Sequence, residues 1–149
     1  MSEMFRLPEQ RHRMAYYAVL IMDLCTDIPG IVPPLLGKIF PLLYDSLTSS
    51  YDPTVYRRFR EWFVLHLSNF GLKWKWGELK NLPALPEHHV KRQFFVDVLY
   101  QLTKLAYPKN VAEAIGADLA PLLPPSPFPQ YRLTAESTLF SGFFFPHFL

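Results

Sequence analysis

The sequence predicts an all-α fold in which antiparallel helical hairpins stack side by side as an α-solenoid. Apolar residues recur along the 149 residues at the spacing of amphipathic helices, and no segment sustains the alternation of a half-buried strand. Most of the 15 prolines fall where such helices would begin or end, which predicts short loops. No repeat of fixed period is visible, but helical repeats of the HEAT type often diverge too far to show one.

The first predicted helix runs from about Gln10 to Ile28 and stops at Pro29, which cannot continue it. Its apolar residues recur at helical spacing and predict one buried stripe. The stripe comprises Met14, Tyr17, Ala18, Ile21, Leu24, Cys25 and Ile28.

The second predicted helix begins at Pro33 or Pro34 and ends near Ser50. Pro41 lies inside it, where a proline removes a backbone donor and clashes with the preceding turn. We therefore expect a kink there or a helix broken in two. The expected buried residues are Leu36, Ile39, Phe40, Leu43 and Leu47.

The third predicted helix has the clearest boundaries. Asp52 is a good N-cap and Pro53 suits the first helical position, while Gly71 can end the helix in a left-handed conformation. A turn rich in tryptophan and lysine, LKWKW, follows directly. The apolar stripe of this helix comprises Tyr56, Phe59, Phe63, Leu67 and Phe70.

Beyond the turn, residues 77–85 contain Pro83 and are followed directly by Pro86, which predicts a connector with at most one short helical turn. A fourth helix is predicted from about Glu87 to Tyr107, and a shorter fifth helix lies between Asn110 and Leu119. The expected buried residues of the fourth helix are Phe95, Val98, Leu99, Leu102, Leu105 and Ala106.

Bulk composition limits the possible functions. The net charge of +2 comes from 15 basic and 13 acidic residues, which is too balanced to indicate nucleic-acid binding by overall charge. The single cysteine, Cys25, excludes an internal disulfide and suits a reducing compartment such as the nucleus or cytosol. The apolar stretch at 14–28 is interrupted by Asp23 and is shorter than the ~20 residues of a membrane span, so no membrane partner is expected.

One segment, FREWFVLHLSNFGLKWKW, resembles the large subunit of the nuclear cap-binding complex, in which a helix of similar pattern runs into an aromatic and basic turn. Asp23 also stands at a position where that family usually has an acidic residue. The matching residues are Arg58, Phe59, Trp62, Phe63, His66, Leu67, Ser68, Asn69, Phe70, Trp74 and Trp76, then Leu20, Ile21, Leu24, Cys25, Leu43, Tyr44, Leu47, Lys91, Phe94, Val98 and Leu99.

The resemblance implies a domain like the middle domain of the initiation factor 4 gamma scaffold. It covers residues 4–133 as a partial HEAT-type domain, which corresponds to part of the second such domain of the large subunit. Residues 134–149 are rich in phenylalanine, resemble nothing in that family and are expected to be disordered or non-native. Because the family's neighbouring helices and later domains do not appear, we expect the chain to be a fragment.

The resemblance also implies a function in mRNA cap binding. In that family the large subunit braces a small RNA-recognition-motif subunit, which holds the cap, so capped RNA is contacted indirectly. It also recruits export and splicing factors. We therefore expect a nuclear scaffold that can also shuttle to the cytoplasm, with no cofactor and no enzymatic activity.

Individual residues give few signs of catalysis. Cys25 with His12 or His66 could form a nucleophile–base pair, but the position of Cys25 on an apolar stripe favours burial. His66 is likewise expected to be a hydrogen-bonded core or edge histidine rather than a catalyst.

The LKWKW turn is the candidate for direct RNA binding. Lys73 and Lys75 alternate with Trp74 and Trp76, as phosphate-binding cations and base-stacking aromatics do in single-strand binders. The favoured interpretation is that both indoles pack onto the helices while the lysine heads reach water. Arg57, Arg58 and Arg60 form the densest basic cluster, for which a solvated face is expected ahead of a partner contact.

Overall fold

The structure is a computed structural model that describes residues 2–48 and 51–125. The regular elements of this part of the chain are helical, and it contains no strand, which confirms the predicted all-α class. The α-helices are α1 (Met14–Asp27), α2 (Val32–Asp45), α3 (Pro53–Asn69), α4 (Val90–Leu105) and α5 (Pro108–Ile115). Short 3-10 helices occupy Ser2–Phe5, Trp76–Leu79, Leu82–Ala84 and Ala117–Leu122.

Helix α3 organises the packing, since it lies against both α1 and α4, while α1 also packs on α2 and α4 on α5. Helices packed side by side on their neighbours are the arrangement of an α-solenoid, as predicted. Residues 134–149 of the expected tail, and 126–133 before it, lie outside the described residues.

The ends of α3 follow from its flanking residues. The Asp52 carboxylate accepts hydrogen bonds from the amides of Thr54 at 2.7 Å and Val55 at 3.2 Å, so two orphan donors of the first turn are satisfied. At the other end Gly71 has φ +63°. The amide of Leu72 then reaches back to the carbonyl of Leu67 at 2.8 Å, which is the long bond of a Schellman motif.

Aromatic side chains from α3 and α4 form the centre of the core. Phe59 of α3 stacks on Phe94 of α4 with ring centroids 4.7 Å apart, and Phe63 meets Phe40 of α2 at 4.3 Å. Such side chains contribute both a large buried area and favourable ring contacts, so they dominate the stabilisation of this small domain. The largest side chains under 2% exposed include Trp62, Phe59, Phe63, Phe94 and Phe95.

Helix α1 starts at Met14 rather than at Gln10. The side-chain Nε2 of Gln10 instead donates to the carbonyl of Met4 at 2.6 Å, and the backbone of Arg13 is extended. Residues 6–13 therefore form a loop that folds back on the N-terminal 3-10 helix. The expected burial of Leu24 and Ile28 is wrong, because they are 38% and 42% exposed. Only one narrow face of α1, with Met14, Ala18 and Cys25, is buried.

Helix α2 passes through Pro41 without a break, so of the two expected alternatives, a kink or a helix broken in two, the broken helix is excluded. It also ends at Asp45, earlier than predicted. Proline at this position leaves the carbonyl of Gly37 without its helical donor. Both residues are exposed, which lets water take the donor's place, while the buried Phe40 and Tyr44 hold the helix on the core.

Helices α4 and α5 also differ from the predicted bounds. The side chain of His89 caps α4 by accepting from the amide of Lys91 at 3.2 Å, so the helix begins at Val90. Helix α5 begins at Pro108, which is suited to a first helical position, and ends before Gly116 at φ +79°. Leu105 was expected in the core but is 58% exposed, because it ends α4. None of the described helices is long and apolar enough to cross a lipid bilayer.

Candidate functional site

The LKWKW turn places its two tryptophans in different surroundings. Trp76 is 8% exposed, its indole Nε1 donates to the carbonyl of Leu72 at 2.9 Å, and its ring lies edge-on to Phe95. A buried indole with a satisfied N–H is a packing element and leaves no open face for a nucleobase. For Trp76 the expected packing onto the helices is therefore observed.

Trp74 is only half-buried and bridges two helices. Its ring meets Phe40 of α2 edge-on at 4.7 Å and Phe63 of α3 at 4.9 Å. The flanking Lys73 and Lys75 are exposed, and Lys75 forms a loose ion pair with Glu78 at 3.4 Å. Exposed pairs of this kind contribute little stability, so both ammonium groups remain available to a ligand.

A groove of about 880 Å³ lies between α2 and this turn. We call it the α2–turn groove. Its lining is largely apolar and aromatic with few charged side chains, which is the composition of a surface that receives apolar groups of a partner. It is lined by Cys25, Pro33, Leu36, Gly37, Phe40, Pro41, Tyr44, Asp45, His66, Phe70, Gly71, Lys73, Trp74, Lys75, Glu78 and Leu79.

One end of the groove is fixed by contacts between α2 and α4. The ammonium of Lys91 pairs with Asp45 at 2.6 Å and lies 5.0 Å from the ring centre of Tyr44. The Tyr44 hydroxyl donates to the carbonyl of Lys91 at 3.3 Å. Burial, and then the charge of Asp45, raises the pKa of Tyr44 well above its usual value, so the hydroxyl stays a neutral donor.

His66 lies in the wall of the groove beneath Trp74 and Phe70, whose ring centres are 6.0 Å and 4.6 Å away. Burial lowers its pKa to about 4 because the charged imidazolium would lose hydration. Its Nδ1 has no hydrogen-bond partner among the described residues. The ring is therefore neutral at pH 7 and packs among aromatic rings as predicted for a core or edge histidine, but within the described ranges its Nδ1 lacks the hydrogen bond that was also predicted.

Cys25 is buried at the other end of the groove lining, which confirms the predicted core position. Burial raises its pKa, so its thiolate form is disfavoured at neutral pH. In the part of the chain that the structure describes, no cluster of histidine, cysteine, aspartate and glutamate has the arrangement of a metal site.

The arginine cluster at the start of α3 is divided by the fold. Arg57 is exposed, but Arg60 forms an ion pair with Asp97 of α4 at 3.0 Å, and that carboxylate also accepts from Tyr56 at 3.1 Å. Arg58 is 6% exposed. The expected solvated face is therefore wrong for Arg58, because α3 turns that position toward the N-terminal segment.

The α2 side of the groove was not among the sites predicted from the sequence. Gly37, Phe40 and Tyr44 become neighbours of the turn only because Phe40 packs against Phe63 of α3 and Trp74 of the turn. The pair Gly37 and Pro41 could have indicated it, because residues four apart share one face of a helix. Glycine leaves that face without a side chain, and Pro41 has no N–H to donate to the carbonyl of Gly37.

Comparison with known proteins identifies the relatives of this chain. Residues 1–117 match the family described as MIF4G like. Nuclear cap-binding protein subunit 1 of Aedes aegypti is 28% identical over 135 residues, which make up 91% of this chain and 16% of that protein. The same subunit of Anopheles gambiae is 27% identical over 135 residues, or 91% of this chain and 17% of the relative. The chain thus spans about a sixth of the length of these relatives, and the resemblance to the large cap-binding subunit is confirmed.

Proposed function

The chain belongs to the MIF4G-like family, and on that premise we propose that it acts as a helical scaffold segment of a large nuclear cap-binding subunit. Its surfaces hold partner proteins and its chemistry is non-enzymatic. Similarity to nuclear cap-binding protein subunit 1 over 91% of the chain supports this role. The structural observation that carries it is the α2–turn groove, a concave apolar surface on an otherwise packed helical core.

The groove suits an apolar segment of a protein partner. A Cβ added at Gly37 would meet no atom within 4 Å, so the groove wall is open at this position. Phe40 and Trp74 supply aromatic surface, while Lys73 gives a charged contact at the edge. Aromatic anchors with a polar surround are typical of protein docking sites.

The proposed partner is the small RNA-recognition-motif subunit that holds the mRNA cap, so capped RNA is reached indirectly. Export and splicing factors are further proposed partners, and the proposed location is the nucleus with shuttling to the cytoplasm. We propose that residues 4–133 form the domain, and that this domain is part of the second middle-domain-like unit of the large subunit.

Co-expression with the small cap-binding subunit tests this proposal. Gly37→Gln should fill the groove with a polar side chain and reduce co-purification strongly. Gly37→Ala is the matched control, because its single methyl leaves most of the groove open and favours the helix. Equal capture by both variants would remove the groove from the interface, and absence of capture by the unmodified chain would contradict the scaffold role.

A second candidate function is direct RNA binding through the LKWKW turn. It is favoured by the exposure of Lys73 and Lys75 on either side of the half-buried Trp74. Arg57 is the residue of the arginine cluster best exposed to join them, whereas Arg58, Arg60 and Trp76 are engaged inside the protein.

Replacing Lys73 and Lys75 with glutamate should then abolish RNA retention and flatten its salt dependence, because two phosphate-binding cations are removed. The double change leaves Trp74 in place, so packing of the turn should persist. Unchanged RNA retention in this variant would eliminate the turn as an RNA site.

A further inference from the structure

A second, smaller pocket of about 320 Å³ lies at the start of α1, outside the α2–turn groove. We call it the arginine pocket. Its basic side chains come from the loop before α1 and from α3, and one carboxylate lies among them. It is lined by Glu9, Gln10, Arg11, His12, Arg13 and Arg58.

Arg58 is the unusual member of this pocket. Its guanidinium donates to the carbonyl oxygens of Arg6 and, at 3.2 Å, of Pro8. Its Nε is buried and has no hydrogen-bond partner among the described residues. In the described part of the chain, no carboxylate forms an ion pair with Arg58. Two carbonyls satisfy donors but do not neutralise a buried cation, and Glu9 is the single carboxylate beside three arginines in the pocket lining. A bound anion would supply the charge that is still missing.

The start of α1 adds a second, independent feature. Its N-cap residue, Arg13, makes no side-chain hydrogen bond to the helix. The Tyr16 amide donates to the carbonyl of Arg13 at 3.0 Å, so the amides of Met14 and Ala15 are the ones without a capping acceptor. Unsatisfied amides together with the positive end of the helix dipole favour an anion at this place. The exposed, positively charged side chains of Arg11 and Arg13 also favour an anion here.

Aromatic rings beside the pocket indicate the source of the anion. The ring of His12 lies 4.4 Å from that of Tyr16, which is 53% exposed, and Tyr16 meets Tyr17 edge-on at 5.6 Å. Open rings next to phosphate-binding cations are what proteins use to stack the bases of single-stranded RNA.

We propose that the arginine pocket binds a phosphodiester group of single-stranded RNA, with an adjacent base stacked on Tyr16. The site lies on the N-terminal side of α1 and is separate from the LKWKW turn. Arg58 forms its recessed positive base, while Arg11 and Arg13 contact the phosphate from the surface.

Fluorescence anisotropy of a short labelled oligouridylate with the full chain tests the proposal. The double variant Arg11→Glu, Arg13→Glu changes two exposed side chains and should weaken binding by at least about tenfold, with the salt slope reduced by roughly 0.7 for each phosphate that is no longer neutralised. Tyr16→Ala should weaken binding by about tenfold while leaving the salt slope unchanged. Lys104→Glu with Lys109→Glu, on α4 and α5, is the control with the same change of net charge.

The proposal is overturned if the control pair weakens RNA binding as much as the arginine pair, since bulk charge would then explain the effect. It is also overturned if the arginine pair binds as tightly as the unmodified chain. Tighter binding of a phosphoserine peptide than of the oligouridylate, abolished in the arginine pair, would assign the pocket to a phosphoprotein and exclude RNA. Circular dichroism of each variant confirms that the helices are retained.

Discussion

The indole Nε1 of Trp76 donates a hydrogen bond to the carbonyl oxygen of Leu72, 2.9 Å away. Leu72 has φ +61°, and with Gly71 at +63° it reverses the chain after α3. The bond draws Trp76 into the core and leaves Trp74 at the edge of the α2–turn groove. A local turn therefore decides which indole stabilises the fold and which one can meet a partner.

Trp76→Phe should lower the free energy of unfolding by about 1–3 kcal/mol, because the Leu72 carbonyl loses its donor in a buried setting. Trp74→Phe is the control, since Trp74 is half-buried and its ring contacts can be kept by a smaller ring. Urea denaturation of both variants measures the difference. Equal losses of stability would show that the hydrogen bond of Trp76 contributes nothing specific.

Two glycines should respond oppositely to alanine. Neither Gly37 nor Gly71 has an atom within 4 Å of an added Cβ, so only backbone conformation differs. Gly37→Ala should stabilise α2 by about 0.5–1 kcal/mol, because glycine is the poorer helix former. Gly71→Ala should destabilise the protein by about 1 kcal/mol, because φ +63° strains an L-residue. Thermal unfolding gives the sign of each change, and shifts in the same direction would refute this explanation.

His66 should make stability depend on pH. Its pKa is lowered to about 4 in the fold, below the value near 6.5 in the unfolded chain, so between these values only the unfolded state takes up the proton. The stabilisation that comes from burying the neutral imidazole is complete above pH 6.5 and is lost as the pH falls toward 4. We expect the free energy of unfolding to be about 2 kcal/mol lower at pH 5 than at pH 7 from this residue.

His66→Phe should remove that part of the pH dependence, since phenylalanine does not titrate and fits among the neighbouring aromatic rings. His88→Gln, at an exposed position, is the control and should keep it. Urea midpoints at the two pH values measure the difference. An identical pH dependence for both variants would contradict the burial of a neutral imidazole.

Asp52→Ala should destabilise α3 by about 1 kcal/mol, because the amides of Thr54 and Val55 lose their capping acceptor. Asp52→Asn should retain most of the stability, since an amide oxygen can also accept. Chemical denaturation of the two variants provides the comparison. If the alanine variant were as stable as the asparagine variant, the cap would have no energetic role.

Several of the buried residues of α3 could be predicted from the spacing of apolar residues in the sequence. Phe59, Phe63 and Leu67 recur along α3 at helical spacing, and each is fully buried. The start of α1 was less predictable, because the side chain of Gln10 bonds to the carbonyl of Met4, six residues away, instead of continuing a helix. The start of α4 depends on the side chain of His89, which caps the helix at Val90. Whether an apolar residue such as Leu24 is covered depends on which helix packs beside it, and spacing within one helix does not contain that information.

The sequence by itself determined the helical class, the capped limits of α3 and the relationship to the large cap-binding subunit, because these depend on local residue chemistry and on a distinctive run of aromatic residues. Only the tertiary structure decided that Arg58 is buried while Arg57 is exposed, and that Trp76 packs while Trp74 borders a groove. The physical reason is that burial and charge pairing are set by elements distant in the chain. Phe40 of α2 packs against Phe63 of α3 and Trp74 of the turn at the groove, and the N-terminal loop supplies the carbonyls that hold Arg58.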